Sequence, residues 1–122
     1  DRYLTEAYRK GLVLSGLSAG AICWFLSGHS DSEYFTDKGN PEFIFVEGLG
    51  LIPYAVCPHY DEADRKSFDH MIQKRKEPGI ALENMTALVY EKEEFKIIRC
   101  NKNNQAYIFK DGRKEKLPAI EL

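Results

Sequence analysis

The sequence contains no apolar run that approaches the roughly 18 residues of a membrane-spanning helix, and it has no excess of positive charge. Its 17 lysines and arginines are balanced by 19 aspartates and glutamates, which gives a formal net charge of -2. Nucleic-acid-binding domains usually carry a basic patch, so this balance predicts no nucleic-acid partner. The lack of a long apolar run likewise predicts no membrane partner.

Cysteine is scarce, and its spacing excludes the common cysteine-based sites. The three residues Cys23, Cys57 and Cys100 are odd in number and form no C-x-x-C pair. Each lies in an apolar or strand-like run, which is typical of reduced core thiols. We therefore expect neither a disulfide framework nor a metal site, and we predict a cytoplasmic protein without a cofactor.

The composition that remains is that of a globular protein. The 122 residues are 43% hydrophobic and 30% charged, which predicts a single domain over residues 1–122. Apolar residues at 3, 4, 7 and 8 show helical spacing, and Lys10-Gly11 resembles a helix end. Because this helix begins with the first residues, we expect the chain to be part of a longer protein.

Apolar runs and turn signals alternate along the chain and predict an α/β fold. The later part is rich in β-branched and aromatic residues and predicts antiparallel strands after a parallel core. Asp61 precedes an amphipathic stretch and is expected to cap its helix. The predicted elements are strands at 12–15, 43–46, 54–57 and 80–82, helices at 19–26 and 61–76, a polar loop at 27–40, and C-terminal strands at 86–90, 95–100 and 106–109.

The pattern G-x-S-x-G at residues 16–20 is the clearest motif. It lies between an apolar run and a stretch that resembles a helix start, which is the context of a nucleophile elbow. In such a turn the hydroxyl of Ser18 is exposed and the following backbone N–H groups face a developing oxyanion. The alternative is an ordinary strand-to-helix turn, because glycine and serine both favour turns.

Ser18, His59 and Glu83 each follow a short apolar run that predicts a strand. If these strands are parallel neighbours, the three side chains meet at one edge of the sheet, where open α/β sheets have their sites. Serine needs an adjacent base, histidine is the usual one, and a carboxylate holds the imidazole. The alternatives are a structural role for His59 and a plain turn role for Glu83.

Other polar residues compete for roles near this edge. His70 lies in a charged helix face and is expected to be solvated. A metal site built from His29, His59 and Asp61 lacks the spacing of known sites. The residues left as possible substrate contacts or rival acids are His29, Asp31 and Glu33, with Lys38 and Arg65 as possible partners of a substrate carboxylate.

Three motifs appear together: GLSAGAICWF at 16–25, GHSDS at 28–32 and CPHYD at 57–61. In this order they resemble the dipeptidase E family of serine peptidases, the alpha-aspartyl dipeptidases, which is related to cyanophycinase. The resemblance covers nearly the whole chain. It implies a three-layer α/β/α sandwich like that of class I glutamine amidotransferases.

The resemblance implies catalytic roles for Ser18 as nucleophile, His59 as base and Glu83 as acid. It also implies that the backbone N–H of Ala19 forms part of the oxyanion hole. Better-known members have Pro-Glu-Gly where this chain has Leu82-Glu83-Asn84. A shift of one residue at the acid position therefore stays open.

Members of this family are longer at the N-terminus, where they carry the first parallel strands and a second oxyanion donor. The chain is thus similar to a C-terminal portion, and the missing portion or a second copy is expected to pack on the exposed sheet edge. The predicted function is hydrolysis of small peptides by a serine peptidase. The alternatives are a non-catalytic binding module and a cyanophycinase-like hydrolase.

Overall fold

The computed structural model describes residues 1–36 and 39–122. The helices are α1 (Arg2–Arg9), α2 (Ala19–Ile22) and α3 (Phe68–Ile72), with 3-10 helices at Ser32–Phe35 and Ala63–Ser67. The strands are β1 (Phe25–Ser30), β2 (Ile44–Glu47), β3 (Ile52–Cys57), β4 (Gly79–Leu82), β5 (Thr86–Glu91), β6 (Glu94–Arg99), β7 (Ala106–Lys110), β8 (Arg113–Lys116) and β9 (Ala119–Glu121).

The larger sheet has six strands in the order β2-β1-β3-β4-β7-β8. Strands β1, β3 and β4 are parallel to one another, whereas β2, β7 and β8 pair antiparallel on either side of them. A smaller sheet contains the β5–β6 hairpin with β9 alongside β6. This mixed arrangement confirms the predicted α/β class with a parallel core and antiparallel strands after it, although the last strand, β9, pairs parallel with β6.

The central strand β3 is buried on both faces. Ala55 and Cys57 belong to one apolar cluster with Phe68 of α3, and Val56 belongs to a second cluster with Ile22 of α2. Side chains alternate between the faces of a strand, so these three consecutive residues anchor helices on opposite sides. The end of β3 is thereby held firmly, and His59 follows it after Pro58.

The prediction of a helix at 19–26 followed by a loop at 27–40 is wrong in its boundaries. Helix α2 ends at Ile22, and the chain enters the buried strand β1 at Phe25. Polar residues of β1 are buried because each has a partner: Ser27 Oγ donates to Glu77, and His29 Nε2 lies 2.9 Å from Ser67 Oγ. Such pairing is invisible to hydrophobic patterning.

Two further predictions need correction. Residues 12–15 form no strand within the described part of the chain, and Leu12 and Val13 are 56% and 94% exposed. The predicted helix at 61–76 is a 3-10 helix followed by the short α3. Asp61 does not cap it, because its carboxylate accepts a hydrogen bond from the Asn84 backbone N–H instead. No helix in residues 1–36 or 39–122 is long and apolar enough to cross a membrane.

Candidate active site

Ser18 lies on a strained turn that leads into α2. Its φ of 53° and ψ of -118° are unusual for a residue with a Cβ, and such strain clusters at functional sites. Its side chain makes no capping hydrogen bond to α2. The hydroxyl therefore does not serve the helix start, as it would in an ordinary turn, and it is directed elsewhere.

The hydroxyl of Ser18 contacts His59. The Oγ of Ser18 lies 2.9 Å from Nε2 of His59, although the two residues are 41 positions apart in the sequence. This distance is that of a hydrogen bond between a nucleophile and its base. His59 is half-buried and follows β3, and its own φ is 55°.

Asn84 supplies the third group. Its Oδ1 lies 2.7 Å from Nδ1 of His59, on the side of the ring opposite Ser18. Asn84 follows β4, which pairs parallel with β3, so the ends of the two strands bring the two side chains together. An amide oxygen at this position orients the imidazole in papain-like proteases.

Glu83 is not brought to the His59 ring. Its Oε2 accepts a hydrogen bond from the Gln105 backbone N–H at 2.8 Å, next to β7. Consecutive side chains at a strand end point in opposite directions, so a shift of one residue exchanges Glu83 for Asn84. The departure from Pro-Glu-Gly in the sequence is the signal for this shift, whereas the expectation of an acid points away from Asn84.

Two carboxylates lie around this group. Burial alone would raise the pKa of Asp61, but hydrogen bonds from the backbone and side chain of Asn84 and the nearby His59 together lower it. Glu62 is exposed, and its Oε1 lies 3.7 Å from Nδ1 of His59. Negative charge is therefore present beside Asn84, although Asn84 itself is neutral.

His29, expected near the substrate, is fully buried elsewhere. Its ring stacks on Phe43 with a centroid distance of 4.4 Å, and its Nδ1 lies 3.6 Å from Cys57 Sγ. Burial, together with the charge of Arg65, lowers the pKa of His29 to about 4, although Asp31 opposes the shift. The ring is thus a neutral part of the core, and it contacts neither Ser18 nor His59.

The other side chains expected near the substrate include two that pair with each other. Asp31 Oδ2 accepts a hydrogen bond from Arg65 at 3.2 Å, and this buried Arg65 also donates to the His29 carbonyl. Glu33 lies in the 3-10 helix at Ser32–Phe35, and Lys38 is outside the described residues. Within 1–36 and 39–122, no three or more His, Cys, Asp or Glu side chains are arranged to hold a metal ion.

The backbone N–H of Ala19 is positioned at the start of α2. The first N–H groups of a helix have no intrahelical acceptor, so this donor is available beside Ser18. Gly16 allows its backbone to lie against that of Gly20, because a Cβ at Gly16 would lie 1.9 Å from the Gly20 carbonyl oxygen. The turn therefore depends on the absence of a side chain at its first glycine.

A serine on a strained turn, bonded to an imidazole that a third side chain orients, is the arrangement found in serine hydrolases. Residues 1–98 match the family model of Peptidase family S51. The chain therefore belongs to this peptidase family, which confirms the resemblance indicated by the three sequence motifs.

A curated relative is similar over a large part of the chain. The uncharacterized peptidase YgaJ of Bacillus subtilis (strain 168) is 40% identical over 77 residues. The matched region covers 62% of this chain and 30% of the relative. The chain thus spans less than a third of that relative in the match.

Proposed function

We propose that this chain carries the nucleophile and base of a serine peptidase that hydrolyses small peptides through an acyl-enzyme on Ser18. The observation that carries the proposal is the continuous set of contacts from Ser18 Oγ through the His59 ring to Asn84 Oδ1. Membership of Peptidase family S51 supports a peptidase. The strained backbone of Ser18 supports its role as nucleophile.

The chemistry follows from the two ring nitrogens of His59. Nδ1 donates to the amide oxygen of Asn84, because that oxygen is only an acceptor, and this leaves the lone pair of Nε2 facing Ser18. His59 then takes the proton of Ser18 as Oγ attacks the scissile carbonyl. It returns a proton to the leaving amine, and water later releases the acyl group with His59 again as base.

The backbone N–H of Ala19 would stabilise the oxyanion that forms in each step. Because α2 has only four residues, the stabilisation of the oxyanion would come from this N–H donor rather than from the dipole of a long helix. A second donor and the remaining layers of an α/β/α sandwich, like that of class I glutamine amidotransferases, would come from polypeptide outside this sequence.

Additional polypeptide would cover the apolar segment at 12–17 in this proposal. Leu12, Val13 and Leu17 are 56%, 94% and 84% exposed, and single domains rarely leave such neighbouring apolar side chains uncovered. A preceding segment of a longer protein is the proposed occupant, and a second copy is the alternative. Intact mass and elution volume of the natural protein distinguish them: a 14.0 kDa monomer would contradict both.

The test of the peptidase function is covalent labelling by a serine-directed phosphonate, read by peptide mass mapping of the full-length natural protein. We expect a single label on Ser18 and hydrolysis of members of a dipeptide panel. Ser18→Ala should remove the label and lower kcat/KM by at least about 1,000-fold. The exposed Ser15, in the same turn region, gives the matched control Ser15→Ala, which should retain both signals.

Equal labelling and turnover by Ser18→Ala and the unaltered protein would contradict the role of Ser18. An unlabelled but folded protein that still binds peptides would instead indicate a non-catalytic binding module. Release of aspartyl-arginine units from a branched polymer, without dipeptide hydrolysis, would favour a cyanophycinase-like substrate.

A further inference from the structure

We propose that Asp61 is a positioning residue of this site, which acts on His59 through the side chain of Asn84. The inference rests on the proposed function of Ser18 and His59. Its basis is a chain of contacts: Asp61 Oδ1 accepts from the Asn84 backbone N–H at 2.7 Å, and Asn84 Oδ1 lies 2.7 Å from His59 Nδ1. The neutral amide thus lies between a carboxylate and the catalytic ring.

Asp61 determines which end of the Asn84 amide faces the ring. An ionised carboxylate only accepts hydrogen bonds, whereas an amide has an accepting oxygen and a donating NH₂ group. The carboxylate of Asp61 attracts the NH₂ group of Asn84, whose side chain contributes to the lowered pKa of Asp61, so the amide oxygen is left for His59. Without Asp61, nothing in this set of contacts would favour oxygen over nitrogen at the ring.

The orientation of the amide determines the tautomer of His59. An amide oxygen beside Nδ1 requires the hydrogen on Nδ1, which leaves Nε2 as the acceptor for the Ser18 hydroxyl. A flipped amide would present a donor to Nδ1 and favour the tautomer with its hydrogen on Nε2. In that tautomer Nε2 cannot accept the proton of Ser18. Asp61 therefore favours the productive tautomer of His59 indirectly, through its contact with Asn84.

The alternative role for Asp61, capping of the following helix, is not seen. The 3-10 helix begins at Ala63 and its N-cap position is Glu62, whose side chain makes no capping bond. The neighbouring Glu62 is an informative comparison, because it is also an exposed acid but approaches the ring directly at 3.7 Å. Because Glu62 is exposed to solvent, its contribution is expected to be small.

The test compares Asp61→Asn with the matched charge-removing variant Glu62→Gln in the full-length natural protein. We expect Asp61→Asn to lower kcat/KM by about 10-fold and Glu62→Gln to change it less than twofold. Nitrogen-15 NMR of the His59 ring should show the Nδ1–H tautomer in the unaltered protein and a mixture of tautomers in Asp61→Asn. Asp61→Glu, which keeps a carboxylate, should restore part of both signals.

A double-mutant cycle tests the route through the amide. In an Asn84→Ala background, Asp61→Asn should cause no further loss, because the connecting group is already absent. Additive losses, equal losses for both acid variants, or an unchanged tautomer in Asp61→Asn would each overturn the proposal. The NMR readout needs no turnover, so it decides on Asp61 even if Ser18 proves unreactive, a result that would count against the peptidase function alone.

Discussion

Gly16 lies so close to Gly20 that a Cβ added to Gly16 would stand 1.9 Å from the Gly20 carbonyl oxygen. A Cβ added to Gly20 would meet nothing within 4 Å. The two glycines of the G-x-S-x-G motif are therefore not equivalent, because only the first is needed for the turn to close on α2.

This difference gives a paired prediction. Gly16→Ala must displace backbone, which is costly, and should move Ser18 away from His59 and lower phosphonate labelling at least 10-fold. Gly20→Ala is the matched control and should label at nearly the normal rate, since its φ is not in the left-handed region. Equal effects of the two substitutions would contradict this account of the turn.

A second prediction separates Glu83 from Asn84. Glu83→Gln keeps an oxygen that can accept from the Gln105 backbone N–H, so kcat/KM should change less than about threefold. Asn84→Ala removes the group that orients His59 and should lower kcat/KM by about 100-fold or more. The rates are measured with a dipeptide that the natural protein hydrolyses. A larger loss in Glu83→Gln than in Asn84→Ala would restore Glu83 as the acid.

Stability should fall in mild acid because of His29. Its pKa is about 4 in the folded protein, and burial is the main cause, whereas the ordinary value is about 6.5. The unfolded chain therefore binds more protons between these values, and the free energy of unfolding should decrease by about 3 kcal/mol as the pH falls from 6.5 to 4. Above pH 6.5 the His29 ring is neutral in the folded and the unfolded chain, so the free energy of unfolding keeps its full value there.

Urea unfolding at a series of pH values measures this dependence. His29→Asn should be less stable at neutral pH and should lose the steep part of the profile between pH 6.5 and 4. The exposed His70 provides the control, since His70→Gln should keep the profile of the unaltered protein. Parallel profiles for the two variants would show that His29 is not the titrating group.

The cysteines should differ sharply in reactivity. Burial raises the pKa of Cys57 to about 12, which makes its thiolate rare, and Cys100 is exposed. Cys23 is half-buried, and burial also raises its pKa. With a disulfide reagent in native buffer we expect one fast thiol, which Cys100→Ser removes, and reaction of Cys57 only in denaturant. Fast reaction in the Cys100→Ser variant would contradict the assignment.

The sequence was sufficient to predict that Ser18 and His59 lie together, but it predicted only part of the fold. Ser18 and His59 could be predicted because their signals are local. Glycines flank the turn at Ser18, and His59 follows an apolar run and a proline. Asn84 was missed because the prediction required an acid, and the choice between adjacent residues depends on which face of β4 each occupies. That geometry depends on pairing with distant β7.

Strand β1 shows why the rest could not be predicted. Its burial depends on contacts of Ser27 with Glu77 and of His29 with Ser67, which are 50 and 38 residues away in the sequence. Read locally, the same polar residues indicate a loop. The strand expected at 12–15 failed for the converse reason: apolar residues form a strand only where a partner strand is present, and none of the described strands pairs with them.

The two halves of the site are anchored differently. His59 and Asn84 follow strands joined by the pairs Ala55 with Gly79 and Cys57 with Ala81, whereas Ser18 follows a segment outside both sheets. Amide hydrogens of β3 and β4 should therefore exchange slowly and those of residues 12–17 quickly. In rising denaturant, the serine should separate from its base while the sheet is still folded, so that inactivation precedes unfolding.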